Sequence, residues 1–375
     1  MNMRAAWIEI SLSAIKKNVS NLKAKTQDSV MLMGIIKADG YGHGSVQVAK
    51  VLREQNVGRF GVATVEEGLE LRKNAATEPI LILGYTIEED YNQAVRYDLT
   101  LALYDYGQAQ ILDQCARAMG KKVKVHIKVD SGMGRLGYQP EEESIKEILK
   151  ITQLKNLEVE GIFSHFAIAD SPEDGYTEIQ FKRFSGFLEM LKKAGVAFKT
   201  RHIANSAANI YFPQTHLDMV RPGIALYGQY PDAALAENPA IELFPAMTIK
   251  ARLAHVKTVP KGSPLSYGCT FTTTKDTLVG TVPMGYADGI PRALSNQGEV
   301  LVKGVRCPII GRVCMDQFMV DLSALGQAKV NDEIVFMGQS GDDRITADEI
   351  AAKVGTINYE IVTGMAGRLT RVYLD

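Results

Sequence analysis

Two hydrophobic periodicities alternate over the first 230 residues, and this alternation constrains the fold more than any other feature. Short β-branched or apolar runs read as strands: "SVMLMGIIKAD", "RFGVATV", "PILILGY", "LTLALYD", "VKVHIKVD", "LEVEGIFSH", "FKTRHIANS" and "HLDMVRPGIALYG". Between most of them lie segments of helical spacing, such as "SVQVAKVLREQN", "YGQAQILDQCARAMG" and "YTEIQFKRFSGFLEMLKKAG". Eight buried strands separated by helices predict an α/β fold, a closed (β/α)8 barrel of the TIM type over residues 12–235. A doubly wound sheet would want a phosphate-binding GxGxxG after its first strand, and "KADGYGHG" does not fit that pattern.

Near residue 235 the pattern changes. "AMTIKARLAHVKTV", "TLVGTVPMGY", "EVLVKGVRCPIIG", "QFMVDLS" and "DEIVFMG" are strands joined by Gly, Pro and Asn turns. Residues 236–375 therefore read as a mainly-β domain, with "YPDAALAENPAIELFP" marking the boundary. The opening strand, within residues 1–11, is expected to join this second domain. One late helix stands out, "TADEIAAKVG", with Thr346 as N-cap and Glu349 as its capping-box partner.

Composition narrows the function. A chain of 375 residues suits two domains, and its 46% hydrophobic and 23% charged residues are those of a globular protein. A net charge of -1 gives no global field to favour nucleic acid. No apolar stretch is long enough to span a bilayer, and the start lacks a signal-peptide core. The four cysteines show no metal or disulfide spacing, which points to a cytoplasmic protein without a metal centre.

In a barrel of this kind, chemistry sits at the C-terminal ends of the strands. Those ends carry Lys37, Arg135, His165, Ser206 and Arg221. Each has an ordinary explanation alone: a lysine meeting solvent, a satisfied core histidine, an arginine paired with an aspartate. Their coincidence at one rim is what those explanations do not predict. Two arginines, a lysine and hydroxyls imply an anionic ligand carrying phosphate. Gly223, in "RPGIALYG", brings backbone N–H groups close to an oxyanion, and Ser206 opens a helix start. A lysine so placed suggests a Schiff base to a carbonyl cofactor, its amine kept neutral by burial and neighbouring cations. Pyridoxal 5'-phosphate meets all these demands.

"IIKADGYGHG" resembles the cofactor-lysine motif of the alanine racemases. "HIKVDSGMGRLG", "RPGIALYG", "LSYGCTF", "VPMGYADG" and "GRVCMDQFMVD" resemble their other signature stretches, in order along the chain. The resemblance implies a homodimer with shared active sites that interconverts L- and D-alanine and supplies D-alanine for peptidoglycan. It implies that Lys37 holds the cofactor as an aldimine and moves the α-proton on one face, while Tyr267 from the partner subunit serves the other. His165 and Arg221 are then the cations that stabilise the Tyr267 phenolate, and Arg221 also faces the pyridine nitrogen. Tyr41, Ser206, Gly223, Ile224 and Tyr359 match phosphate ligands. Arg135, Met315 and Asp316 match substrate-side residues, and Tyr286 and Tyr359 narrow the entry. Lys128, expected on the same strand as Arg135, matches a lysine that some members carry as a carbamate.

Other readings separate on particular residues. The PLP-dependent decarboxylases that share this fold place a reactive cysteine in the second domain, where Cys314 lies. Tyr267 and Arg221 fit the racemase pattern better. A metal-dependent hydrolase would need His and Asp clustered in ligand spacing, which the chain lacks. Serine or another small amino acid is the alternative substrate.

Overall fold

The computed structural model describes residues 5–237, 239–365 and 367–375. It divides into two compact units: Ile15–Gly40 with Gly44–Phe244, and the segment through Ala14 with Tyr41–His43 and Pro245–Asp375.

Strand β1, Ala6–Ser11, opens the chain. In the first unit follow β2 (Met31–Ile35), β3 (Arg59–Val62), β4 (Ile80–Ile82), β5 (Leu99–Leu103), β6 (Val123–Lys128), β7 (Leu157–Phe163), β8 (Thr200–His202) and β9 (Met219–Val220). These eight strands pair in the order β8-β7-β6-β5-β4-β3-β2-β9. The amides of Asp218 and Arg221 then donate to the carbonyls of Arg201 and Ala204, bringing β9 beside β8. The result is the near-closed parallel barrel that the alternating pattern predicts. Helices such as Ser45–Glu54, Tyr106–Ala118 and Tyr176–Lys193 run between the strands. All five residues of β5 are buried, as a parallel strand covered by helices requires.

The second unit is built mainly of strands: β10 (Met247–Arg252), β11 (His255–Val259), β12 (Pro264–Leu265), β13 (Phe271–Thr272), β14 (Thr277–Val282), β15 (Glu299–Val302), β16 (Val305–Ile310), β17 (Phe318–Asp321), β18 (Glu333–Ser340), β19 (Asp343–Ile345) and β20 (Thr370–Leu374). Its main sheet runs β11-β14-β17-β16-β15-β18-β10-β1-β20, with β19 against β18. Strand β1 lies between β10, antiparallel, and β20, parallel.

Two details differ from the sequence reading. Thr346 Oγ1 does accept the Glu349 amide at 3.0 Å. The Glu349 carboxylate, however, goes to Arg306, which also gathers Glu299 and Asp343, so the box closes on one side only. A second late helix, Asn358–Thr363, carries Tyr359. Six residues are too few to display a helical period in sequence.

Candidate active site

Lys37 follows the end of β2, and the chain there turns left-handed. Ala38, Asp39 and Gly40 have φ of 51, 50 and 62° with ψ of 52, 48 and 44°. Tyr41 continues the pattern at φ 52°. Each non-glycine residue in this conformation costs about 1–2 kcal/mol, so the surroundings must hold it. Gly40 N–H donates to Ile36 O at 2.9 Å and Gly44 N–H to Asp39 O at 2.8 Å. Asp39 Oδ1 accepts the Ser45 amide at 2.8 Å. Glu67 accepts the Ala38 amide at 2.6 Å on one oxygen and the Ala63 amide at 2.7 Å on the other. The loop is thus tight through strain held by acceptors as well as through its glycines. Burial, and then the Arg135 guanidinium, lower the Lys37 amine below the ordinary lysine range, against the Glu67 charge.

Arg221, just beyond β9, is 4% exposed. Its Nη1 donates to His202 Nδ1 at 3.0 Å. Its Nη2 donates to Ser164 O at 2.9 Å, His165 Nδ1 at 3.1 Å and Ile203 O at 3.1 Å. Every one of these acceptors is neutral, and burial brings the guanidinium down to about 9. Arg221 only donates, so each of these two bonds is made only while the ring's Nδ1 is bare. Burial, and then Arg221 itself, hold His165 and His202 well below the usual histidine range. Phe163, at the end of β7, stacks on His202 with centroids 4.9 Å apart and lies under both Lys128 and Arg221.

Lys128 ends β6 and is 5% exposed. Its Nζ donates to Val129 O at 2.7 Å, and burial, followed by Arg221, lowers the amine to about 7. Arg135, by contrast, lies beyond the strand in an exposed loop, contrary to the expectation that it shares β6. Asp130 shapes that loop by accepting the amides of Gly132, Gly134 and Arg135 at 2.9–3.0 Å. Gly137 packs so closely that a Cβ there would lie 2.5 Å from the Asp130 nitrogen.

Two short turns converge near Ser206. Its hydroxyl accepts the Gly223 amide at 2.8 Å. Asn205 caps the helix Ser206–Tyr211 by accepting the Ala208 amide at 3.0 Å. The amides of Ser206 and Ile224, each at the first position of a helical turn, have no acceptor within the described residues.

The second unit presents a different set. Tyr267 is 71% and Met315 53% exposed. With Asp316, Cys314, Ser266 and Lys257 they line a cavity of about 690 Å³. Asp316 pairs with Arg368 at 2.7 Å. Cys314 Sγ sits 3.6 Å from Ser266 Oγ. Tyr286 and Ala287 donate backbone amides to Cys314 O and Met315 O, both at 3.0 Å, fixing the Met315 loop. Tyr41 and Tyr359 meet as tilted rings 6.3 Å apart. His43, assigned no role, is buried with Nδ1 2.9 Å from Tyr41 O.

Three polar residues that the sequence reading passed over lie inside the barrel. His126 and His202 bond through Nδ1 and Nε2 at 2.8 Å, and His126 Nε2 reaches Glu160 at 3.2 Å. A signal was present, because Lys124, His126 and Lys128 alternate on one face of an otherwise apolar strand. Glu160 was masked. In "LEVEGIF" it alternates with the exposed Glu158, but the β6–β7 register shifts at this point, pairing Val159 with Val125 and Gly161 with His126. The bulge leaves Glu160 unpaired in the ladder and turned inward, 2% exposed.

A parallel barrel with a perturbed lysine and a buried arginine at its strand ends, continued into a β domain, defines a class of two-domain barrel enzymes. Comparison with known proteins resolves the family. Residues 10–231 match the model of the alanine racemase N-terminal domain, and 246–373 that of the C-terminal domain. The chain is 45% identical to an alanine racemase of Methanococcus maripaludis over 368 residues, 98% of both chains. The solved alanine racemase of Clostridium difficile 630 superposes with a TM-score of 0.95 at 40% identity, over 100% of this chain and 97% of that one. That of Bacillus anthracis with bound L-Ala-P does so at 0.95 and 38%, over 100% and 96%. The chain belongs to the alanine racemase family.

Proposed function

We propose that this protein interconverts L- and D-alanine by exchanging the α-proton between two bases, using pyridoxal 5'-phosphate in a homodimer with shared sites. The observation that carries this reading is the set of residues at the barrel's strand ends: Lys37, an amine lowered by burial and by Arg135, and Arg221, a buried guanidinium bonded to neutral acceptors. The donors left over suit the cofactor. Arg221 Nε–H meets no acceptor among the described residues, and we assign it to the pyridine nitrogen. The amides of Ser206 and Ile224, and the Ser206 hydroxyl proton, remain for phosphate oxygens. Gly223, Tyr41 and Tyr359 complete that assignment on family resemblance.

When bound, pyridoxal phosphate supplies an electron-withdrawing ring that makes the α-C–H acidic. Lys37 would hold it covalently and take or return the proton at Nζ, a role favoured by the lowering of its amine by burial and Arg135. Tyr267 Oη of the partner subunit would do the same on the opposite face, with the Arg221 guanidinium as the cation that favours its phenolate. His165, bare at Nδ1 and held neutral, can serve only as a hydrogen-bond donor, which corrects its expected role as a cation. Arg221 keeps its own proton, so the nitrogen it faces stays unprotonated and the electron sink stays weak. Arg135 and the Met315 amide orient the substrate carboxylate, and Asp316 and Tyr286 border the entry. Lys128, neutral in good part near pH 7, adds CO2 at Nζ with loss of a proton to give a carbamate.

The exposure of Tyr267 and Met315 is consistent with a shared site. No helix among the described residues is long and apolar enough to cross a membrane; the cytoplasmic location is proposed on family resemblance. D-alanine for the cell wall is the product's proposed destination. Following both directions with a coupled D-amino-acid assay tests the mechanism. Tyr267→Phe should abolish racemisation yet still let Lys37 exchange the α-proton of one enantiomer with solvent deuterium; exchange lost equally from both enantiomers, or kept equally in both, removes the two-base assignment. A panel of L-amino acids tests the substrate: turnover of L-serine with L-alanine inert would overturn it.

A further inference from the structure

Among the described residues no carboxylate pairs with the buried Arg221 guanidinium, and a buried charge without compensation is costly. Its compensation lies two imidazoles away. Arg221 Nη1 donates to His202 Nδ1 at 3.0 Å. The proton of His202 must then sit on Nε2, from which it is donated to His126 Nδ1 at 2.8 Å. The proton of His126 must in turn sit on Nε2 and be donated to Glu160 Oε2 at 3.2 Å. One end of this chain can only donate and the other only accepts, so the tautomer of each ring between them follows. Both rings are 0% exposed and Glu160 is 2% exposed, so water does not interrupt the column.

The far end is anchored. Arg59, at the start of β3, grips Glu160 with two bonds of 2.7 and 3.0 Å, and Lys124 adds a third at 3.0 Å. Burial works to raise the Glu160 carboxyl, but the bonds from His126, Arg59 and Lys124 overcome it and keep it ionised. Gly161 makes room for the middle of the chain, since a Cβ there would lie 2.6 Å from His126 Cε1 and Nδ1.

We propose that Glu160 and His126 are positioning residues for the cofactor-facing arginine. A carboxylate midway along β7 fixes the tautomer of His202, so that His202 offers Arg221 a lone pair. The guanidinium is thereby held charged and oriented at the mouth. The consequence for catalysis rests on the reading of Arg221 as the pyridine-nitrogen partner, but the tautomer chain does not.

The test is 15N NMR of histidine-labelled, full-length protein loaded with pyridoxal phosphate; with six histidines, single replacements assign the rings. His126 and His202 should both appear as neutral Nε2–H imidazoles in the wild type. In His126→Leu, which leaves the Glu160–Arg59–Lys124 cluster intact, His202 should become a mixture of tautomers. The dissociation constant for pyridoxal phosphate should then rise about tenfold, the loss expected for one charged hydrogen bond. An Nδ1–H or doubly protonated His202 in the wild type overturns the proposal, with no variant needed. So does a pure Nε2–H His202 in His126→Leu. Scrambled tautomers with unchanged cofactor affinity would uphold the relay and overturn the assignment of Arg221 to the cofactor.

Discussion

Glu67 shows how one side chain serves two demands at the residue scale. It caps the helix Val65–Lys73 and also accepts the amide of Ala38, the residue after Lys37. Its charge raises the Lys37 amine while burial and Arg135 lower it. Glu67→Gln removes the raising charge, so Lys37 should lose its proton at lower pH than in the wild type. The pH dependence of borohydride-trapped pyridoxal phosphate at Lys37 checks this, and a midpoint unmoved or moved upward contradicts it. Lys128 gives a second sign to check. Its folded pKa of about 7 lies below that of an unfolded lysine, near 10.4. Between these values the unfolded chain holds a proton that the folded chain lacks, so stability from this site rises with pH across that window. The slope is at most about 1.4 kcal/mol per pH unit. In CO2-free buffer, Lys128→Met should flatten the dependence of Tm on pH from 7 to 10.

At the scale of elements, the left-handed turn after β2 makes the glycines of "KADGYGHG" unequal. Gly42 has φ 79°, and a Cβ on it would meet Val362 O at 2.4 Å. Gly42→Ala should therefore destabilise by more than the roughly 1–2 kcal/mol of left-handed strain alone, read as a fall in Tm, whereas a neutral effect would mean that the turn relaxes. The barrel strands were legible because parallel strands under helices are continuous apolar runs, and β4, β5 and β9 are of that kind. Lys37 and Arg221 were legible because each closes such a run. Glu160 was not, because a bulge reverses the face that alternation assigns to it. Arg135 was misplaced because Asp130, through three backbone amides, turns the chain off the strand five residues earlier. The half-made cap at Thr346 depended on Arg306, forty residues away in sequence and invisible to any local pattern.

On the scale of the whole molecule, the residues given roles in the proposed mechanism are divided between the two units. The barrel carries Lys37, Arg221 and the amides of Ser206 and Ile224; the β unit carries Tyr267 and Met315, both exposed. The proposed dimer, in which the β unit of one subunit completes the barrel of the other, would account for that exposure. The most direct measurement mixes two inactive homodimers, Lys37→Ala and Tyr267→Phe, under conditions of subunit exchange. If the bases come from different chains, a mixed dimer has one site with both bases and one with neither. Random pairing then restores activity at about a quarter of the wild-type sites. If both bases came from one chain, no mixed dimer would hold an intact site, and exchange confirmed by mass spectrometry with no return of alanine racemisation would contradict the account.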